Sequence, residues 1–157
     1  MSRRDGFTLL ELILAIAIAL MLLATANPSL DGLFDEQRLR ETHEAFEQLV
    51  RNAHARSINE RRNYVLVWGP TGIELQPDAP IPEDAAAEPV RLDFAEGATI
   101  TLERLAALEK DPPMEWMFWR SGNCEPVVVT YNGEPGSWIV KYDPLTVRGT
   151  LIEQVIK

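Results

Sequence analysis

Gly6-Phe7-Thr8-Leu9-Leu10-Glu11 opens an apolar run that continues to Ala26, and Glu11 is the one charged residue from Phe7 to Ala26. At about 1.5 Å of rise per residue, a helix over this run reaches roughly 30 Å, the thickness of a bilayer's hydrocarbon core. Arg3 and Arg4 stand before the run; Asp31, Asp35 and Glu36 follow it. That asymmetry keeps the amino terminus cytoplasmic and sends the remainder outward. Residues 7–26 are therefore predicted as a transmembrane helix, and residues 1–6 as a cytoplasmic leader too short to fold. The bulk of the chain is expected to work outside the cytoplasm.

Glu11 does not fit a plain membrane anchor. A carboxylate at such depth costs about 2.5–3.5 kcal/mol on insertion scales, so it calls for a partner. A cut between Gly6 and Phe7 would supply one. The new α-amino group would lie about one helical turn from Glu11, and in an assembly it could pair with the Glu11 of a neighbour.

These residues carry a resemblance. The short basic leader, Gly6-Phe7-Thr8-Leu9-Leu10-Glu11 and the apolar helix resemble the class III signal of type IV pilins and pseudopilins, residue for residue over six positions. The resemblance implies that a prepilin peptidase cuts after Gly6 and N-methylates Phe7. It also implies that Phe7 and Glu11 guide docking of one subunit on another in the bacterial inner membrane. Two plainer readings compete. Ala24-Thr25-Ala26 before Asn27 is an A-x-A site of the ordinary secretory kind, although its apolar core is overlong and holds a glutamate. The run could also be an uncut signal anchor with Glu11 near the interface. The three readings differ in the mature amino terminus: Phe7, Asn27 or an uncut start.

Pro28 lacks a backbone donor and disfavours helix at Asn27, so a kink is expected there, weakened further by Gly32. Pilin-like helices often carry a proline at the corresponding place. From Leu30 to about Arg62 the helical pattern returns. Phe46, Leu49, Val50, Ala53 and Ser57 or Ile58 recur at three- and four-residue spacing, with charged side chains on the other faces. Residues 27–62 are thus predicted as the amphipathic half of a long N-terminal helix, which needs a sheet to bury against. Its last turns, Leu49 to Asn59, resemble the helix end of H-type minor pseudopilins and FimT-like minor pilins.

Residues 63–157 read as β structure. Tyr64–Trp68, Ile73–Leu75, Val90–Phe94, Thr99–Leu102, Glu115–Trp119, Val127–Tyr131 and Trp138–Tyr142 are predicted strands, separated by Gly- and Pro-containing turns. Residues 76–89 hold four prolines and four acids and are predicted as an acidic loop; Glu103–Lys110 has room for one or two helical turns. The fold class is α+β, a long N-terminal helix packed on an antiparallel β-sheet domain. Phe118 to Asn123 and Asp143-Pro144-Leu145-Thr146 also resemble the H-type pattern. Val147-Arg148-Gly149 departs from it, because glycine is expected directly after the threonine.

Composition narrows the partners. With 15 Lys+Arg against 24 Asp+Glu, the net charge is −9, which disfavours nucleic acid and anionic lipid. Cys124 is the one cysteine, so no intramolecular disulfide forms; no His or Lys adjoins it, and an inert turn or strand-edge residue is expected. His43-Glu44-Ala45-Phe46-Glu47 lacks the second histidine of a zinc-binding H-E-x-x-H, and the carboxylates of residues 76–89 and Asp143 lack the dense spacing of a calcium loop. Both histidines fall on one helix, so no Ser/His/Asp set can be argued, and no phosphate-binding glycine loop occurs. No catalytic residue, metal or cofactor is expected. Of the tryptophans, Trp116 shares a strand face with Phe118, while Trp119 shares the opposite face with Met117. One face should be core and the other free for subunit contact.

The resemblance implies a structural minor pseudopilin of a type II secretion system, built into a fibre tip with other major and minor pseudopilins on an inner-membrane assembly platform, with secreted cargo a further partner. Alternatives are a FimT-like minor pilin that takes up DNA, or an anchored extracytoplasmic binding domain. The nearly neutral end, Leu151 to Lys157, lacks the basic character that DNA uptake would want.

Overall fold

A computed structural model describes residues 8–25, 30–79, 90–105 and 114–157. The chain forms two compact units, Met1–Phe34 and Asp35–Lys157. The first contains helix α1, Leu9–Thr25. Helix α2 runs Leu30–Asn59 and supplies most of its length to the second unit. The expected kink at Pro28 lies outside the described residues. Of the acidic loop expected over residues 76–89, Gln76 and Pro77 instead belong to a strand, Gly72–Pro77, and residues 80–89 lie outside the described residues.

The second unit is α+β, as its patterning requires, but its strands form two sheets where the sequence suggested one. β1 (Tyr64–Trp68), β2 (Gly72–Pro77), β3 (Val90–Asp93) and β5 (Glu115–Phe118) make a sheet of order β3-β2-β1-β5. β4 (Thr99–Arg104), β6 (Val127–Gly133), β7 (Gly136–Tyr142) and β8 (Gly149–Ile156) make the second, of order β4-β6-β7-β8. All pairings are antiparallel. The sheets meet through side chains rather than a shared ladder. Trp68 Nε1 donates to the Ile100 carbonyl at 2.9 Å, and the ring of Trp116 lies 4.8 Å from that of Tyr142.

The stripe of α2 that the spacing singled out is the buried one. Phe46, Leu49, Val50 and Ala53 are in the core, joined by Leu39 one heptad earlier. Between Ser57 and Ile58 the core takes Ser57, whose hydroxyl donates to the His54 carbonyl at 2.8 Å; Ile58 stays exposed. Phe46 packs against Trp138 and Tyr142 of β7, Thr42 accepts from Trp138 Nε1 at 3.1 Å, and Glu47 accepts from Tyr142 Oη at 2.5 Å. Each such large apolar side chain stabilises the fold by about 1.5–3 kcal/mol. The Tyr142 hydroxyl, driven by burial first and by the Glu47 carboxylate second, resists ionisation well beyond the ordinary tyrosine range.

Two sequence expectations need correction. Residues from Glu103 do not begin a helix: β4 continues through Arg104, paired across to Val127, and Arg104 is tied to the Glu115 carbonyl and the Glu125 carboxylate. The remainder of that stretch, from residue 106, lies outside the described residues. At the other end, β8 forms where no strand was expected. It hydrogen-bonds to β7 with a register shift between Ile139 and Val140 that leaves Ile152 unmatched.

Cys124 sits in an isolated bridge opposite Phe118 and is 1% exposed. Burial pushes its thiol up to about 12. The thiolate is the reactive form, so Cys124 of the folded chain is expected to react with a maleimide at pH 8 roughly 100-fold or more slowly than in urea, as read by intact mass. Equal rates in the two conditions would contradict this burial.

Candidate functional site

The amino end of α1 is built from a four-residue device, Thr8-Leu9-Leu10-Glu11. Thr8 precedes the helix, and both its carbonyl and its hydroxyl accept from the Glu11 backbone N–H, at 3.1 and 3.3 Å. Its carbonyl also accepts from Leu12 N–H at 3.2 Å. A threonine cap followed three residues later by glutamate is the capping-box spacing, and it satisfies donors that a helix start otherwise leaves open. The cap therefore fixes Leu9 as the first helical residue. It also puts Glu11 in the first turn, where a carboxylate is favoured by the helix dipole.

Beyond the cap, α1 has no polar face. Glu11 is its one acidic residue, and the rest is Leu-Leu, then Leu-Ile-Leu-Ala-Ile-Ala-Ile-Ala-Leu-Met-Leu-Leu-Ala and a terminal Thr25. Its large side chains from Leu9 to Leu22 are exposed, from 52% at Ile16 to 78% at Leu10, and Glu11 is exposed among them. A helix apolar all round is stable where lipid or other helices cover it. With 17 residues α1 is about 26 Å long. This is shorter than the expected span, because the Thr8 cap starts the helix at Leu9, while Phe7 and Ala26 lie outside the described residues. Among the described residues, no helix is long and apolar enough to cross a membrane. Gly6 and Phe7, the expected cleavage and methylation residues, also lie outside the described residues, as does Pro28. The structure thus describes one of the expected assembly residues, Glu11, and adds Thr8, whose role was legible in the T-x-x-E spacing but was not drawn from it.

Of the residues considered for metal chemistry, Asp143 has other partners, while His43 Nε2 is buried without a hydrogen-bond partner among the described residues. His43 stands edge-on to Trp138 at 5.3 Å between centroids, with Nε2 4.0 Å from Glu47 Oε1, while Arg51 lies 3.6 Å from the other oxygen of Glu47. Asp143 Oδ1 accepts from Leu145 N, Thr146 N and Thr146 Oγ1 at 3.0, 2.8 and 2.9 Å, closing the β7–β8 turn. Those donors, the Thr146 amide first, hold its carboxyl below the usual aspartate range. His54 Nε2–H donates to the Gly122 carbonyl at 3.0 Å and ties α2 to the turn after β5. Among the described residues, no group of His, Cys, Asp and Glu is arranged to hold a metal ion.

Residues 1–27 match the family model of the prokaryotic N-terminal methylation motif. No curated protein matches the chain. Of solved structures, the type IV minor pilin FimU of Pseudomonas aeruginosa PAO1 is similar with a TM-score of 0.53 at 14% identity, over 77% of this chain and 92% of that one. The minor pseudopilin EpsH from the type 2 secretion system of Vibrio cholerae is similar with a TM-score of 0.48 at 13% identity, over 75% of this chain and 96% of that one. The likeness to FimU is one of fold. The chain thus carries an N-terminal methylation motif ahead of an α+β domain of type IV pilin-like fold.

Proposed function

We propose that this chain, whose methylation motif leads into a pilin-like fold, is a non-enzymatic minor subunit of a type IV pilin-like fibre, stored in the inner membrane by α1 and drawn from it during assembly. The observation that carries this reading is the capped, all-apolar α1 with Glu11 as its one acidic residue. In this scheme a prepilin peptidase cuts between Gly6 and Phe7 and methylates the Phe7 amine. Phe7 then stands directly before the Thr8 cap. Its ammonium group and the Glu11 carboxylate of a neighbouring subunit form an ion pair in an apolar surround, where such pairs are strong and direction-setting. The β domain faces outward and meets other major and minor subunits or cargo, and the inner-membrane platform drives insertion.

Within that class we read the machine as the pseudopilus of a type II secretion system, on the H-type resemblance of the end of α2 and of residues 118–123. A minor pilin of a type IV pilus is the second reading, favoured by the fold likeness to FimU. DNA uptake gains little from the carboxyl end: Lys157 Nζ is already engaged by Asn132 Oδ1 and the Gly133 carbonyl, each at 3.0 Å.

Glu11→Ala tests the scheme. The variant is expected to be processed and inserted normally. Its incorporation into sheared fibres should fall on the order of 30-fold or more, since truncating one partner of a desolvated ion pair costs about 2–5 kcal/mol. Quantitative immunoblots of the fibre and membrane fractions read both quantities; undiminished incorporation would sink the role given to Glu11.

A further inference from the structure

α2 passes into β1 through Glu60-Arg61-Arg62-Asn63, and Arg61 takes a left-handed backbone conformation with φ 54°. A helix often ends on such a residue, usually glycine, because a Cβ there crowds the next carbonyl at a cost of about 1–2 kcal/mol. Among the described residues Val147 is the other non-glycine with positive φ, also 54°, and it is 7% exposed with its side chain in the core. Burial offsets the strain at Val147. Arg61 is exposed, so packing does not explain why an arginine stands where glycine would relax the turn.

What Arg61 does border is a surface cleft of about 650 Å³, shared with Arg62, Arg120, Asn63, Trp119, Ser121 and Asp78. Arg62 is held in place: its Nε and Nη2 donate to Glu60 Oε2 at 3.0 and 2.7 Å, Nη2 also reaches Tyr64 Oη at 2.7 Å, and its guanidinium lies 5.1 Å from the centre of the Tyr64 ring. Asp78 accepts from Asn63 Nδ2 at 3.4 Å, and Asn63 Oδ1 in turn accepts from the Arg120 backbone N–H at 3.1 Å. Among the described residues, no carboxylate meets the guanidinium of Arg61 or of Arg120. In a chain of net charge −9, two uncommitted arginines thus border one cleft beside a half-buried tryptophan. Arginine and tryptophan are the residue types that carry most binding energy at protein interfaces.

We propose that this cleft binds a carboxylate-bearing extended segment of another protein, with Arg61 and Arg120 taking its Asp or Glu side chains and Trp119 packing on its apolar atoms. A bidentate arginine fork matches a carboxylate in shape as well as charge. A polyanion such as DNA fits less well, because Glu60 and Asp78 flank the arginines and the chain as a whole repels phosphate. The site goes beyond the assembly role of α1 and does not depend on it, since binding is read on single chains outside any fibre.

The test uses the full chain in detergent micelles and fluorescence anisotropy with three labelled probes: a hexapeptide bearing two glutamates, its glutamine counterpart, and a single-stranded hexanucleotide. The glutamate peptide is expected to bind saturably and at least about tenfold more tightly than either other probe. Arg61→Gly should weaken it about tenfold while the melting temperature holds or rises, because glycine relaxes the turn. Arg120→Gln should weaken it similarly at unchanged melting temperature. Equal binding of the two peptides, tighter binding of the DNA, or affinity indifferent to both substitutions would overturn the proposal.

Discussion

Trp138→Ala is expected to lower the melting temperature of the outer domain by roughly 10–20 °C, read by circular dichroism on the full chain in micelles. Trp138 is 1% exposed and joins three elements. Its ring stacks on Tyr131 of β6 at 5.4 Å and 12°, leans on Phe46 of α2 at 5.6 Å, and its indole N–H is used by Thr42. Truncation removes all three contacts and leaves a cavity between α2 and the second sheet, a change that costs about 3–5 kcal/mol. Small domains have about 5–15 kcal/mol in total, so this is a large share. Trp119→Ala, at a half-buried position beside the cleft, is the comparison and should cost far less. A loss below about 1 kcal/mol at Trp138 would mean that α2 does not rest on β7 in the way described.

Gly136→Ala is expected to release β8. Gly136 begins β7 with φ 147°, in a region that residues with a side chain rarely enter. A Cβ there would overlap the Val155 carbonyl oxygen of β8 and come within 3.1 Å of Leu39 Cδ2 on α2. The obstacle is backbone, so relief requires breaking the β7–β8 ladder. About 2–4 kcal/mol is expected from strain and overlap together. Hydrogen exchange should show it locally, as fast exchange over residues 149–156 while β6 stays protected. Gly97→Ala is the control: its φ is 74° but nothing lies within 4 Å, so it should carry the backbone cost alone, about 1–2 kcal/mol. Equal protection of β8 in the Gly136→Ala chain would contradict the packing at this hairpin.

What the sequence made legible follows a physical line. The unbroken apolar run Tyr64-Val65-Leu66-Val67-Trp68, closed by Gly69-Pro70, marked β1 to the residue, and period-2 alternation was legible in Ile73-Glu74-Leu75 of β2. Alternation also put Trp116 and Phe118 on one face, both fully buried, and left Trp119 on the other. Period 2 reports which face is inside; it does not report which strands share a ladder, so the division into two sheets was hidden. β8 was hidden for another reason. All of its residues are exposed, and the unmatched Ile152 breaks the alternation, so no apolar pattern marks it. The same limit applies to the sites. Thr8 and Glu11 are three residues apart and their capping relation is local, whereas Arg61 and Arg120 border one cleft because β1 starts beside the end of β5, Tyr64 pairing with Phe118.

The central reading rests on where the mature chain begins, and the mass of its amino-terminal peptide, from protein purified out of cells with an intact prepilin peptidase, reports that directly. A peptide starting at Phe7 and heavier by one methyl group is the expected result, and it would place the free amine next to the Thr8 cap and within a turn of Glu11. A chain starting at Asn27 would mean that α1 is discarded with a secretory signal, and one starting at Met1 that it is an uncut anchor; either would contradict assembly through Phe7 and Glu11.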